Sequence, residues 1–143
     1  MKIGKVVLAG TVVGILNSIW GWLTCGWLFN WVYLLEPIFI WKQPNEMPFA
    51  LMGVTGIVFA ILLALVYMII YKGLPGKGIV KGLWFGLFVW LVGGLPGVFS
   101  LGMCTVMAWG VIIYWIIGGL VVCLWQGLVI AAIYGDGEPK ELS

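Results

Sequence analysis

The chain has 143 residues, 64% of them hydrophobic and only 8% charged, with a formal net charge of +2. A soluble domain carries about 25% charged residues, and so short a chain could not hide this much apolar surface from water, so lipid is the expected solvent for much of it. The small charge gives no ground for a nucleic-acid partner, and with neither arginine nor histidine present the bidentate phosphate clamp and the commonest metal ligand and catalytic base are missing.

A bilayer needs about 20 apolar residues per helical span. The length leaves room for four spans in one transmembrane domain, 1–135, followed by a polar cytoplasmic tail, 136–143. The expected fold class is all-α, an integral membrane four-helix bundle.

Lys2 and Lys5 precede an apolar run that extends to Leu35. A signal peptide has an apolar region of about 7–15 residues and a small-residue cleavage site. This run is longer and no such site follows, so it reads as a retained first span at about 6–29. Its small residues are Gly10, Gly14 and Ser18. The polar link 36–48 holds Pro37, Pro44 and Pro48 together with Glu36, Lys42, Gln43, Asn45 and Glu46. Trp27, Trp31, Tyr33, Phe39 and Trp41 crowd around it. Such rings gather at a membrane–water boundary, so they read as an aromatic belt with a short surface segment, or as an aromatic-lined mouth for a ligand.

The second span is expected at 48–71, with Pro48 as its first helical residue and Gly53, Gly56, Ala60 and Ala64 as its small face. The turn 73–77 is short, so spans two and three should form an antiparallel hairpin. Span three, 77–95, lies between two GLPG tetrapeptides at 73–76 and 94–97, with Gly78, Gly82 and Gly86 along it. Proline disfavours helix at the residue before it. A break or strong kink is therefore expected at 93–97, with Gly94, Pro96 and Gly97 as a candidate hinge and 98–105 as a tight turn or frayed ends. Span four, 106–134, is long enough to imply tilt or a projecting end; its stripe is Gly119, Cys123, Gly127 and Ala131.

Lys2, Lys5, Lys72, Lys77, Lys81 and Lys140 would share one side and Lys42 the other. Lysine bias of this kind predicts a multi-pass protein of the cell (inner) membrane with both termini cytoplasmic. A faint repeat also runs through the chain. Aligning Lys5 with Lys81 pairs Gly10 with Gly86 and Gly21 with Gly97; aligning Tyr71 with Tyr134 pairs Gly56 with Gly119 and Ala64 with Gly127. The halves would then be parallel copies of one hairpin, as in some transporters, although 22 glycines could supply such matches by chance.

Lipid gives helices no hydrophobic drive to associate, and close backbone approach through small residues replaces it. Four stripes on four spans suit packing within one bundle; an oligomer formed through span three is the alternative. Asn17 and Gln126 are the most polar residues well inside spans. At about 1.5 Å rise per residue they reach similar depth. They read as an interhelical hydrogen bond worth about 1–2 kcal/mol, or as a neutral solute site between spans one and four.

The span interiors hold no Asp, Glu or Arg, which argues against proton relays, ion-coupled transport and voltage sensing. The carboxylates, Glu36, Glu46, Asp136, Glu138 and Glu141, lie in connections or the tail; Glu36 and Glu46 share a loop that could hold a cation weakly. No catalytic set, metal set or cofactor is expected. Cys25 and Cys104 could pair in an oxidising compartment or serve as small packing residues, as Cys123 should. GLPGKG lacks the spacing of a phosphate loop and follows no strand.

The segment YKGLPGKGIVKGLWFGLFVWLVGGLPG at 71–97, with GWLTCGWLF early and GLVIAAIYG late, resembles small four-span prokaryotic membrane proteins of unassigned function. The resemblance covers most of the chain, implies a four-helix integral membrane protein and transfers no active site. Two functions remain in view. One is a non-enzymatic structural or accessory component, acting by helix packing with a membrane-protein partner or as a homo-oligomer in the lipid bilayer. The other is a small permease or channel for a neutral or apolar solute, with a path past Asn17 and Gln126 and the Pro96 break as its moving part.

Overall fold

The computed structural model describes residues 3–42 and 44–135. Lys2, Lys140 and the predicted tail with Asp136, Glu138 and Glu141 lie outside these. The described regular elements are all helical. Helix α1 (Ile3–Leu23) continues into a π turn, Thr24–Leu28. Short 3-10 turns carry the chain to α2 (Phe49–Ile70). Then come α3 (Ile79–Val89), a second π turn (Trp90–Gly94), α4 (Leu95–Cys104) and α5 (Trp109–Tyr134). Four stretches, Ile3–Leu28, Phe49–Gly73, Ile79–Cys104 and Trp109–Tyr134, are long and apolar enough to cross a membrane. On α2 the apolar side chains Leu51, Phe59 and Ile69 stand exposed; a helix apolar all round belongs in a core or a bilayer.

Of the break or strong kink expected at 93–97, the break is not there; a π turn, Trp90–Gly94, stands just before Pro96. The α3 helix, its π turn and α4 run on without interruption, and Gly94 and Leu95 have right-handed helical backbone angles. Pro96 stands in the first turn of α4. Proline cannot donate to the carbonyl four residues back, and its ring crowds that carbonyl. The wide turn just before Pro96 accommodates both effects. Residues 98–104 are therefore helix rather than a turn, and the link to α5 shrinks to 105–108.

The expected hairpin of spans two and three is also corrected. The α2 helix packs along α1, α3 packs along α5, and α1 packs on α5 to join the two pairs. Helices α2 and α3 meet instead through the Tyr67 and Phe85 rings, with centroids 5.2 Å apart. The link between them turns on Gly76 (φ 88) and Gly78 (φ 53), conformations that favour glycine. Gly78, expected in the packing stripe, is thus the residue that leads into α3.

The core gathers at the end of the bundle where residues 3 and 135 lie. Val6, Ala9 and Val13 of α1 meet Ala60, Ala64 and Tyr67 of α2, Phe85 of α3, and Ile130, Ala131 and Tyr134 of α5. Tyr134 stands edge-on to Tyr67 at 5.7 Å and to Tyr71 at 5.2 Å, the arrangement aromatic quadrupoles favour. Lys5 Nζ donates to the Tyr134 carbonyl at 3.3 Å and ties the first helix to the last. The bundle is closed at this end and opens toward the other.

Candidate functional site

Glycine does two opposite jobs in this molecule. At five positions it lets backbones touch. A Cβ on Gly10 would overlap the Ile61 backbone, and one on Gly14 would lie 2.6 Å from Ile57 Cα. Gly82 and Gly127 each face the other's carbonyl, and Gly86 faces that of Cys123; such approaches place glycine Cα–H groups on carbonyl oxygens. Ala60, Ala64 and Ala131 are buried beside these contacts. In α4, Gly102 does similar work, since its Cβ would lie 3.1 Å from the Ile112 side chain.

Other members of the predicted stripes do not pack. Gly53 and Gly56 of α2 face open space. Ser18 is exposed, and its hydroxyl donates to the Gly14 carbonyl at 3.0 Å. A Cβ on Gly119 would meet the Trp90 indole at an ordinary 3.7 Å. That indole donates from Nε1 to the Ile116 carbonyl at 3.0 Å. Of the candidate hinge, Gly94 sits under the same ring, and a Cβ there would lie 3.2 Å from Trp90 Cδ1; a Cβ on Gly97 would meet nothing within 4 Å.

The two intraspan amides come together. Gln126 Nε2 donates to Asn17 Oδ1 at 3.0 Å, linking α5 to α1. Next to this pair, away from the core, the helices part around a cavity of about 330 Å³. Asn17, Trp20, Gly21, Thr24 and Cys25 line it from α1 and its π turn, Val98 from α4, and Tyr114, Trp115, Gly118, Gly119 and Val122 from α5. No lining residue is charged. Trp125 Nε1 is buried nearby in sequence and has no partner among the described residues.

The link 30–41 supplies a rim. The Tyr33 hydroxyl donates to Cys25 Sγ at 3.2 Å and accepts from Trp115 Nε1 at 2.9 Å. Burial, with the Cys25 hydrogen bond adding to it, pushes that hydroxyl above the ordinary tyrosine range, so it stays a donor. Trp41 stands edge-on to Tyr33 at 5.1 Å and to Trp115 at 6.0 Å. The predicted aromatic belt therefore divides. Tyr33 and Trp41 turn inward over α5, whereas Trp27, Trp31 and Phe39 are 71%, 61% and 82% exposed. Glu36 Oε2 accepts from the Ile38 amide at 3.3 Å. Cys25, Cys104 and Cys123 are free thiols, the first two exposed, and it is the backbone of Cys123 that Gly86 touches.

The sequence reading did not single out Trp20, Gly21, Tyr114, Trp115 or Gly118 as site residues. A signal was present in the adjacent pair Gly118–Gly119, which doubles the small-residue width of α5 at the level of the cavity. No family model, curated protein or solved structure matches the chain. Its class therefore rests on its own geometry: an all-helical protein with four membrane-length apolar helices, a pair of glycine-mediated helix contacts and a neutral cavity.

Proposed function

We propose that the chain is a non-enzymatic, multi-pass protein of the cell (inner) membrane, with both termini cytoplasmic, that works by helix packing as a structural or accessory component of a membrane assembly. The observation that carries this reading is on α2. The α1, α3 and α5 glycines at the tight contacts are filled from within the chain, whereas Gly53 and Gly56 have nothing within 4 Å, and Phe49, Met52 and Phe59 beside them are exposed. Small residues with large apolar neighbours give another helix, from a partner or a second copy, a place to approach. Residue pairing across α1/α2 and α3/α5 supports the further reading that the two halves are parallel copies of one hairpin.

Two experiments test this. A cysteine at position 56 in a Cys25→Ser, Cys104→Ser, Cys123→Ala background should cross-link in native membranes to a discrete neighbour of defined mass. A chain that stays monomeric and uncross-linked in mild detergent and in membranes would remove the accessory role. Membrane-impermeant thiol reagents applied to intact cells should label Lys42→Cys and spare Lys77→Cys; the reverse pattern would invert the topology.

A second reading, a small permease for a neutral solute, is favoured by the Asn17–Gln126 pair bordering an uncharged cavity. It predicts solute flux in liposomes that falls when both amides become leucine.

A further inference from the structure

We propose that the cavity between α1, α4 and α5 binds a small, uncharged, flat molecule that carries a carbonyl oxygen or equivalent hydrogen-bond acceptor. The proposal rests on the solute-site reading of Asn17 but does not require transport.

Glycine is used in two opposite ways here. Glycine in apolar helices normally admits a neighbouring backbone, as Gly10, Gly82 and Gly86 do here. Gly21 and Gly118 do the reverse. They face the cavity from α1 and α5, and a Cβ on either would meet nothing within 4 Å. Here the missing side chains create space. The resulting 330 Å³ stands at the lower end of the ~300–1,000 Å³ range of small-molecule pockets, enough for a molecule of one or two rings.

The walls are aromatic and uncharged. Trp20, Tyr114 and Trp115 present ring surface, Val98 and Val122 aliphatic surface, and no charge faces the space. An ionised guest would lose hydration with nothing to replace it, so the guest is neutral. Faces of indole and phenol favour a flat, apolar body.

Some polar atoms of the lining are left over. Asn17 Oδ1 is taken by Gln126, and the Asn17 amide nitrogen has no partner among the described residues. The Thr24 hydroxyl is already donating to the Trp20 carbonyl at 2.7 Å, and Cys25 Sγ already accepts from Tyr33. The polar groups left unused in the lining, the Asn17 amide nitrogen and the Trp20 indole N–H, are thus both donors, and Asn17 stands at the core end of the α1 lining. A guest that places an acceptor at Asn17 satisfies that amide, and a pure hydrocarbon does not.

Benzophenone fits this description and can report its own position, because its excited carbonyl inserts into neighbouring C–H bonds. Illumination of the detergent-purified protein with benzophenone should give saturable adducts on cavity residues such as Trp20, Val98 and Val122. Gly118→Leu should abolish saturable labelling without lowering thermal stability, since its side chain enters free space. Asn17→Leu should weaken binding about tenfold, the loss of roughly 1.4 kcal/mol. Gln126→Leu breaks the same amide pair but keeps the Asn17 donor, and should stay within about twofold. A purely structural amide would make the two variants behave alike and would overturn the proposed recognition. Non-saturable adducts spread over the outer faces of α2 and α3, unchanged by Gly118→Leu, would overturn the site. Loss of labelling on transfer from detergent to phosphatidylcholine nanodiscs would give the cavity to a lipid chain and overturn the proposal. Saturable labelling without benzophenone flux in liposomes would support this site while counting against the permease reading.

Discussion

The α1/α2 pair and the α3/α5 pair both close on glycines, and they differ one helical turn further along. When Lys5 is aligned with Lys81 and Tyr71 with Tyr134, Gly10 corresponds to Gly86 and Ile61 to Leu124. The contacts are similar though not identical: a Cβ on Gly10 would strike Ile61, and one on Gly86 would strike the Cys123 backbone, with Leu124 Cα next at 2.9 Å. Four residues further along, the first pair has Gly14 against Ile57 and stays tight. The second pair has Trp90 at the place of Gly14. Its indole covers Gly119 and Gly94 and is held by the Ile116 carbonyl, and the π turn begins at this residue. A glycine at this place admits the facing backbone, whereas the tryptophan sets its ring against α5. The cavity lies between α1, α4 and α5. Glycine at 14 and tryptophan at 90 thus give the two pairs different contacts one turn beyond Gly10 and Gly86.

The largest effect should come from filling the shared contact. Gly86→Leu puts a side chain into the Cys123 backbone, and Gly10→Leu puts one into Ile61. Neither backbone can yield, so each should cost about 3 kcal/mol or more, the upper range for overpacking, in chemical unfolding from detergent micelles. Comparable losses would strengthen the correspondence of the pairs; a loss confined to one would break it.

Next in size is Trp90→Ala. A fully buried tryptophan costs about 3–5 kcal/mol on truncation to alanine. Trp90 is half-buried, so about 2 kcal/mol is expected, with backbone amide exchange rising in the 90–94 segment. Stability unchanged within error would show that the Trp90 ring does not hold the second pair in shape.

The amide pair comes third. Asn17→Leu and Gln126→Leu, combined in a double-mutant cycle, should give a coupling near 1 kcal/mol, as interhelical polar pairs in membranes do. This bond joins the two pairs of helices rather than stabilising either one. Zero coupling would leave α1 and α5 held by packing alone.

The smallest effect is a pH dependence at the cavity rim. Folding raises the Tyr33 hydroxyl above its ordinary value, so the folded state holds this proton more tightly than the unfolded chain does. The associated stability is fully present below pH about 10 and is lost as pH rises past it toward the folded value. Unfolding midpoints between neutral pH and strong alkali should therefore decline less steeply in Tyr33→Phe than in the parent chain. Identical slopes would mean that the Cys25–Tyr33–Trp115 chain does not persist in solution.

Much of the architecture is legible in the residues alone. Four helices follow from four apolar runs of membrane length, separated by Pro37, Pro44 and Pro48, by the lysine- and glycine-rich turn after Tyr71, and by the short polar-edged link at Thr105. A run without charge has nowhere else to satisfy its backbone in an apolar solvent than within itself. The closeness of Asn17 and Gln126 was readable as well, because helical rise converts position into depth. Pro96 marks an irregularity, the π turn before it, without ending the helix, because its rule is local. It forbids one hydrogen bond, and a π turn five residues long removes that demand without ending the helix.

What the sequence could not supply is which surfaces meet. Every helix carries small residues, and one-dimensional spacing is the same whether a glycine admits a backbone, as Gly82 does, or leaves a void, as Gly118 does. Nor does a short link oblige its two helices to pack along each other: α2 and α3 are joined by the turn at 71–78, yet each lies against a different partner. Composition and the length of the apolar runs determined the helix count and the level at which Asn17 and Gln126 meet, because these depend on helix length and rise. The tertiary structure alone decided the pairing order and the position of the cavity, because those depend on which side chain stands across from each glycine.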